Sequence, residues 1–210
     1  HPQILKVIEL IKQNEIGELI SMESNFGMNI LTKKNIFGFK KIKKLNTKQR
    51  IFNKELGGGV ILDIGCYPVT LSTLIASQIS NIDYDKVEIK NIQKDIKSNE
   101  VEINASMDII FENNFKSNIR ASFTKKLGNK TSIIGKKGEI VIEDTWLANP
   151  SIITVKKDQD EIININSAAN IYSYEIDTLS QCILDNKMKP DFPGLTIDDI
   201  IGNMKIIDRW

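Results

Sequence analysis

Asp63 is the one charged residue in the run Leu56-Gly57-Gly58-Gly59-Val60-Ile61-Leu62-Asp63-Ile64-Gly65-Cys66-Tyr67-Pro68-Val69. A carboxylate flanked by Val60, Ile61, Leu62 and Ile64 is expected to be at least partly buried. Burial is costly unless a cation or hydrogen-bond donors meet it. Tyr67 follows four residues later, the spacing that puts two side chains on one face of a helix. A carboxylate beside a phenol suits proton transfer to or from a substrate hydroxyl. The glycines admit positive φ and the close approach of another backbone or a ligand. The spacing also has a purely structural reading: a tight turn entering a helix, with Asp63 bonded to local amides and Tyr67 half buried.

Upstream, Lys40, Lys41, Lys43, Lys44, Lys48 and Arg50 crowd a segment with little periodicity. Such a run reads first as a solvated, mobile loop. Its sharper reading is a cationic lid over an anionic substrate or a cofactor phosphate. Arg50 lies nearest the glycines and is the candidate substrate contact.

The elements that must position these groups follow from periodicity. Apolar residues at Ile4, Leu5, Val7, Ile8 and Ile11 predict a helix over residues 3–14 with a wide apolar face, ended near Gly17. Burial on two sides, one against a further domain, would explain that width. A strand is expected over residues 18–28 and a helix over residues 60–79. Pro68 lacks an amide and clashes with the carbonyl four residues back, so that helix either kinks after Tyr67 or restarts with Pro68 at its first position. From residue 86 to 165 the pattern alternates. Val101, Ile103, Ala105, Met107, Ile109 and Phe111 face a strand carrying Phe115, Ile119, Ala121 and Phe123, and a turn at Glu112–Asn114 pairs Met107 with Ile119. Further hairpins are expected around Gly135–Gly138 and Asp158–Asp160, giving a meander with one apolar and one polar face. Two helices close the chain: one striped by Ile176, Leu179 and Ile183, the next by Ile197, Ile200, Ile201, Met204 and Ile207. Thr196 is the expected N-cap of the second, with Asp199 at its third position. The predicted fold is α+β, an open, mainly antiparallel sheet with helices on one face, in a single domain over residues 1–210.

Composition sets the bounds. At 210 residues, 41% hydrophobic and 26% charged, the chain is ordinary for a globular protein with a real core. A net charge of +1 gives no field that points to nucleic acid or a membrane. No apolar run reaches the ~20 residues of a membrane span. Cys66 and Cys182 are expected as reduced, buried thiols, which suits a cytoplasmic protein. No metal site is expected.

The glycine–Asp63–Tyr67 string resembles the signature GGGxxxDxGxY or GGGxxxDxGxH of the glucose–fructose oxidoreductase, inositol dehydrogenase and rhizopine-catabolism (Gfo/Idh/MocA) family of NAD(P)-dependent oxidoreductases. The lead-in Arg50-Ile51-Phe52-Asn53-Lys54-Glu55-Leu56 is similar to its sugar and dihydrodiol dehydrogenase branch. Glu15-Ile16-Gly17-Glu18-Leu19 resembles the family's entry to its first strand, and Gly135-Lys136-Lys137-Gly138-Glu139-Ile140 one of its hairpins. Tyr172 through Trp210 resembles its closing helix pair. His1-Pro2 looks like the junction after the family's N-terminal dinucleotide-binding (Rossmann) domain. That domain, its G-x-G-x-x-G turn and its Glu-Lys-Pro lysine are absent from this sequence.

The resemblance implies the C-terminal half of an NAD(P)-dependent oxidoreductase moving hydride between nicotinamide and a sugar, polyol or related secondary alcohol. Tyr67 would exchange the proton at the substrate oxygen. Asp63 would orient the substrate hydroxyl and pair with the family lysine. NAD or NADP would be bound mainly by the N-terminal domain, and the 210 residues alone are expected to bind neither measurably. The alternative is a non-catalytic sheet module for association. The family often forms homo-oligomers through the open face of this sheet, but Glu102, Asn104, Asp108, Lys116, Asn118 and Arg120 make that face polar for an obligate interface.

Overall fold

The computed structural model describes residues 1–34, 37–42, 46–96, 100–168 and 170–210. The sheet is built from β1 (Leu19–Gly27), β4 (Glu88–Ile96), β5 (Glu102–Ile110), β6 (Lys116–Ser122), β7 (Thr131–Gly135), β8 (Gly138–Ile142), β9 (Ile152–Lys156) and β10 (Glu161–Asn164). A separate two-stranded ribbon joins β2 (Thr32–Lys34) to β3 (Lys40–Ile42). The helices are α1 (Pro2–Lys12), α2 (Cys66–Ala76), α3 (Ser173–Leu184) and α4 (Ile197–Arg209).

The eight strands lie in the order β10-β9-β8-β7-β1-β6-β5-β4. Every neighbouring pair is antiparallel except β1 with β6. The expected meander is thus split: β1 enters between β6 and β7 and makes the sheet mixed. Met107 lies opposite Ile119, as the alternation requires. Val101, Met107 and Ile119 are at most 1% exposed, and α2 with the turn before it packs on that side. The opposite side carries polar groups that bond along the face. Asp108 accepts from Asn91 and Asn118 at 2.6 Å each, and Ser122 donates to Asn104 at 2.5 Å.

Four expectations are corrected. Part of the basic segment is ordered, since Lys40 and Lys41 belong to β3, while Lys43 and Lys44 lie outside the described residues. The segment Lys54–Ala76 has the length and hydropathy of a membrane span, 1.6 on average, yet it is broken by a glycine turn before α2 and 67% of its apolar stretch is buried inside the molecule. Cys66 and Cys182 are only partly buried. The stripes assigned to the last two helices largely face outward. Ile197, Ile200, Ile201 and Met204 are exposed; of that stripe α4 buries Ile207, together with Gly202, Asn203 and Ile206 from outside it.

Short-range polar and steric contacts decide that face of α4. Thr73 donates to Asn203 Oδ1 at 2.8 Å, and the Tyr84 ring lies so close to Gly202 that a Cβ there would come within 2.4 Å of it. The capping box of Thr196 with Asp199 forms as the sequence predicts. The Tyr84 hydroxyl donates to the same Asp199 at 3.3 Å.

Burial, with the Asp199 carboxylate adding to it, pushes the Tyr84 phenol up to about 12. A tyrosine whose folded value exceeds its unfolded one near 10 stabilises the fold below that unfolded value and ceases to as pH rises through the folded one. The melting temperature is therefore expected to fall between about pH 10 and pH 12 beyond the general alkaline trend. Tyr84→Phe should flatten that part of the profile, as thermal melts across the range would record.

Candidate functional site

The glycine run makes a fold-back. Two 3-10 turns, Arg50–Phe52 and Lys54–Leu56, lead into Gly57, which caps the second in the left-handed region at φ 67°. Gly58 N–H then donates to Asn53 O at 2.8 Å, and Gly59 N–H to Ile51 O at 3.0 Å. A Cβ on Gly58 would stand 2.4 Å from Arg50 O. Gly59, at φ +106°, runs so close to the start of β5 that a Cβ would meet Glu102 Oε2 at 2.6 Å. Only glycine allows the chain to lie on its own lead-in in this way.

Immediately afterwards Ile61–Gly65 forms a π-turn that passes straight into α2. The irregularity lies before Tyr67, not after it, and Pro68 falls in the first turn of α2, where a missing amide costs least. Such widened turns recur at functional sites. Gly65 lets Trp210 of the chain end press against the π-turn, a Cβ there being 2.6 Å from the indole.

Asp63 sits in the middle of the π-turn with its side chain 22% exposed. The cation it requires is Arg50, whose Nη2 bonds Asp63 Oδ1 while Nη1 donates to Gly57 O at 3.4 Å. The fold-back thus brings Arg50 to Asp63, and the residue expected as a substrate contact is the carboxylate's ion-pair partner here.

Tyr67, 52% exposed, lies edge-on to Phe26 at 5.5 Å and 6.1 Å from Trp146. Phe26 and Trp146 stack at 5.3 Å, and Trp146 is fixed by its Nε1–H donating to Asn25 O at 2.7 Å. Sequence reasoning missed both rings. They come from the end of β1 and the loop after β8, and no local periodicity links them to the glycine motif. Partial burial raises the Tyr67 phenol above its ordinary value, and neighbouring Cys66, Tyr172, Asp63 and Glu175 add to the effect. The phenol is therefore protonated at neutral pH and can donate a proton to a substrate oxygen.

A dinucleotide does not fit the glycines. A phosphate cradle needs free amides at the turn between a strand and a helix. Here the amides of Gly58 and Gly59 are consumed inside the fold-back, which follows 3-10 turns.

A family profile described as GFO/IDH/MocA C-terminal domain matches residues 4–141. The trans-1,2-dihydrobenzene-1,2-diol dehydrogenases of Xenopus laevis and Xenopus tropicalis are 23% and 25% identical to the chain over 97% of its length. The chain spans 57% of each. Among solved structures, aldose–aldose oxidoreductase from Caulobacter crescentus, complexed with glycerol, superposes with TM-score 0.76 at 18% identity, covering 100% of this chain and 57% of that one. A 3-ketoreductase from Actinomadura kijaniata, in complex with TDP-benzene and NADP, gives 0.76 at 14% identity, covering 99% and 57%.

Alkaline titration followed by tyrosine absorbance tests the site's electrostatics. Tyr67→Phe should remove a phenol titrating above the ordinary value near 10, and Asp63→Asn should move that phenol downward. A Tyr67 phenol that titrates in Asp63→Asn as it does in the parent would separate Asp63 from Tyr67.

Proposed function

Because the chain belongs to the GFO/IDH/MocA family through its C-terminal domain, we propose that it is the substrate-binding and proton-transferring part of an NAD(P)-dependent oxidoreductase acting on a sugar, polyol or related secondary alcohol. The observation that carries this reading is the convergence of Asp63, Tyr67 and the Phe26–Trp146 pair at one partly open position. The aromatic pair offers a flat apolar wall for the C–H face of a ring, and the polar pair offers groups for its hydroxyls. Cyclic diol and aldose in the relatives' names are of that chemistry.

Tyr67 is assigned the proton exchange at the substrate oxygen. With its phenol held protonated it is a ready donor in the reducing direction, while oxidation requires a nearby cation to lower it. Asp63 is assigned to orient the substrate hydroxyl, with Arg50 free to share the carboxylate or touch the substrate from its exposed side. NAD(P), which supplies the hydride chemistry, is assigned to residues outside this chain. Any association through the sheet's polar face would be wet and charge-paired, as Asp108, Asn118 and Arg120 are already linked to one another.

Steady-state kinetics in the longer protein with its dinucleotide-binding domain test this. Tyr67→Phe is expected to lower kcat by about 10²–10⁴ with KM little changed, the usual range for losing a general acid–base group. Asp63→Asn is expected to raise KM and lower kcat together. If both turn over like the parent at matched melting temperature, Asp63 and Tyr67 are packing residues.

A further inference from the structure

Three hydroxyl residues are buried beside the aromatic wall. On β1, Ser24 stands between Met22 and Phe26 in the inward row, and on β7 Thr131 shares its row with Ile133. Both hydroxyl residues are fully buried, and Thr145, in the loop after β8, is nearly so. A hydroxyl taken out of water costs stability unless it is hydrogen-bonded, and an apolar pair of the same shape would serve the core as well. These three are bonded to one another. Ser24 and Thr131 lie opposite each other across the strands with 2.8 Å between their oxygens, and Thr145 Oγ1 donates to Thr131 Oγ1 at 2.9 Å.

The chain of bonds closes on the aromatic wall. Trp146 follows Thr145 in sequence and donates its Nε1–H to Asn25 O, and Asn25 follows Ser24. Hydrogen bonds and peptide bonds thus form one closed ring through Ser24, Thr131, Thr145, Trp146 and Asn25. The Thr145 N–H adds a bond to Asn129 O at 2.9 Å. An indole held only at its Nε1–H could pivot about that bond, and an anchor one residue back removes the pivot. The indole so held lies 16° from the plane of Phe26, with the Tyr67 ring 6.1 Å away.

Resting on the oxidoreductase reading, we infer that Thr145, through Thr131 and Ser24, is a positioning residue that sets the plane of Trp146 and so fixes how tightly the ring of a substrate is held beside Tyr67. The three hydroxyls touch no substrate themselves. A wall that meets the ring equally in the ground state and the transition state governs KM and leaves kcat alone.

Two variants of the longer protein test this. Thr145→Val removes the donor, keeps the shape and leaves the Ser24–Thr131 pair in place, while Thr145→Ser restores the hydroxyl. The indole N–H signal of Trp146 in NMR, assigned by its loss in Trp146→Phe, reports the ring directly. In Thr145→Val that signal should shift and exchange faster with water. KM for a sugar or cyclic diol should rise about five- to tenfold with kcat within about twofold of the parent, and Thr145→Ser should restore all three. An unmoved indole signal would overturn the inference. So would a moved signal with KM at the parent value, or a fall of kcat and melting temperature together with KM unchanged, the mark of a merely structural threonine. A parent that turns over no sugar, polyol or cyclic diol, with the indole signal moved in Thr145→Val, would overturn the oxidoreductase reading and leave the positioning of Trp146 by Thr145 standing.

Discussion

A carboxylate placed in an apolar helix must meet a cation, and the architecture around residues 50–68 is organised by that requirement. Arg50 reaches Asp63 only because the chain doubles back on itself between them, and the doubling back is possible only without side chains at Gly58 and Gly59. The π-turn then holds Asp63, mostly buried, beside the half-exposed Arg50, while its flanks Ile61 and Ile64 are buried in the core. Removing any one of these conditions leaves either a buried uncompensated charge or a backbone collision.

The sheet supplies the rigidity behind this arrangement. Its inner face, from Val101 through Met107 to Ile119, receives the π-turn and α2. The central insertion of β1 carries Phe26 to the same end of the molecule. Trp146 arrives from the far side of β7 and β8 and is locked by its bond to Asn25 of β1. The aromatic wall beside Tyr67 therefore depends on the one topological irregularity in the sheet. A simple meander would separate Phe26 from Trp146.

What was legible in the sequence was local. The alternation from Val101 to Phe111 and from Phe115 to Phe123 has one register that buries both apolar rows, and Met107 opposite Ile119 follows from it. Thr196 and Asp199 cap α4 because capping is a matter of four consecutive residues. The glycines, Asp63 and Tyr67 share a short window, so their proximity was readable too. Long-range choices were not. The parallel pairing of β1 with β6 leaves no mark in either strand's own pattern. The orientation of α4 follows from Tyr84 on Gly202 and Thr73 on Asn203, contacts that outweigh a stripe of isoleucines. The stripe on α3 was visible as periodicity, but periodicity says that a face is apolar and not what covers it.

The central claim is that Asp63, Tyr67 and the Phe26–Trp146 wall form one substrate site. A crystal structure of the longer protein with NADP and a bound sugar or cyclic diol tests it most directly. The account predicts the reacting oxygen within about 2.6–3.2 Å of Tyr67 Oη, a hydroxyl on Asp63 and the ring's C–H face over Trp146. A substrate bound on the polar face of the sheet, or with its reacting carbon away from Tyr67, would contradict it.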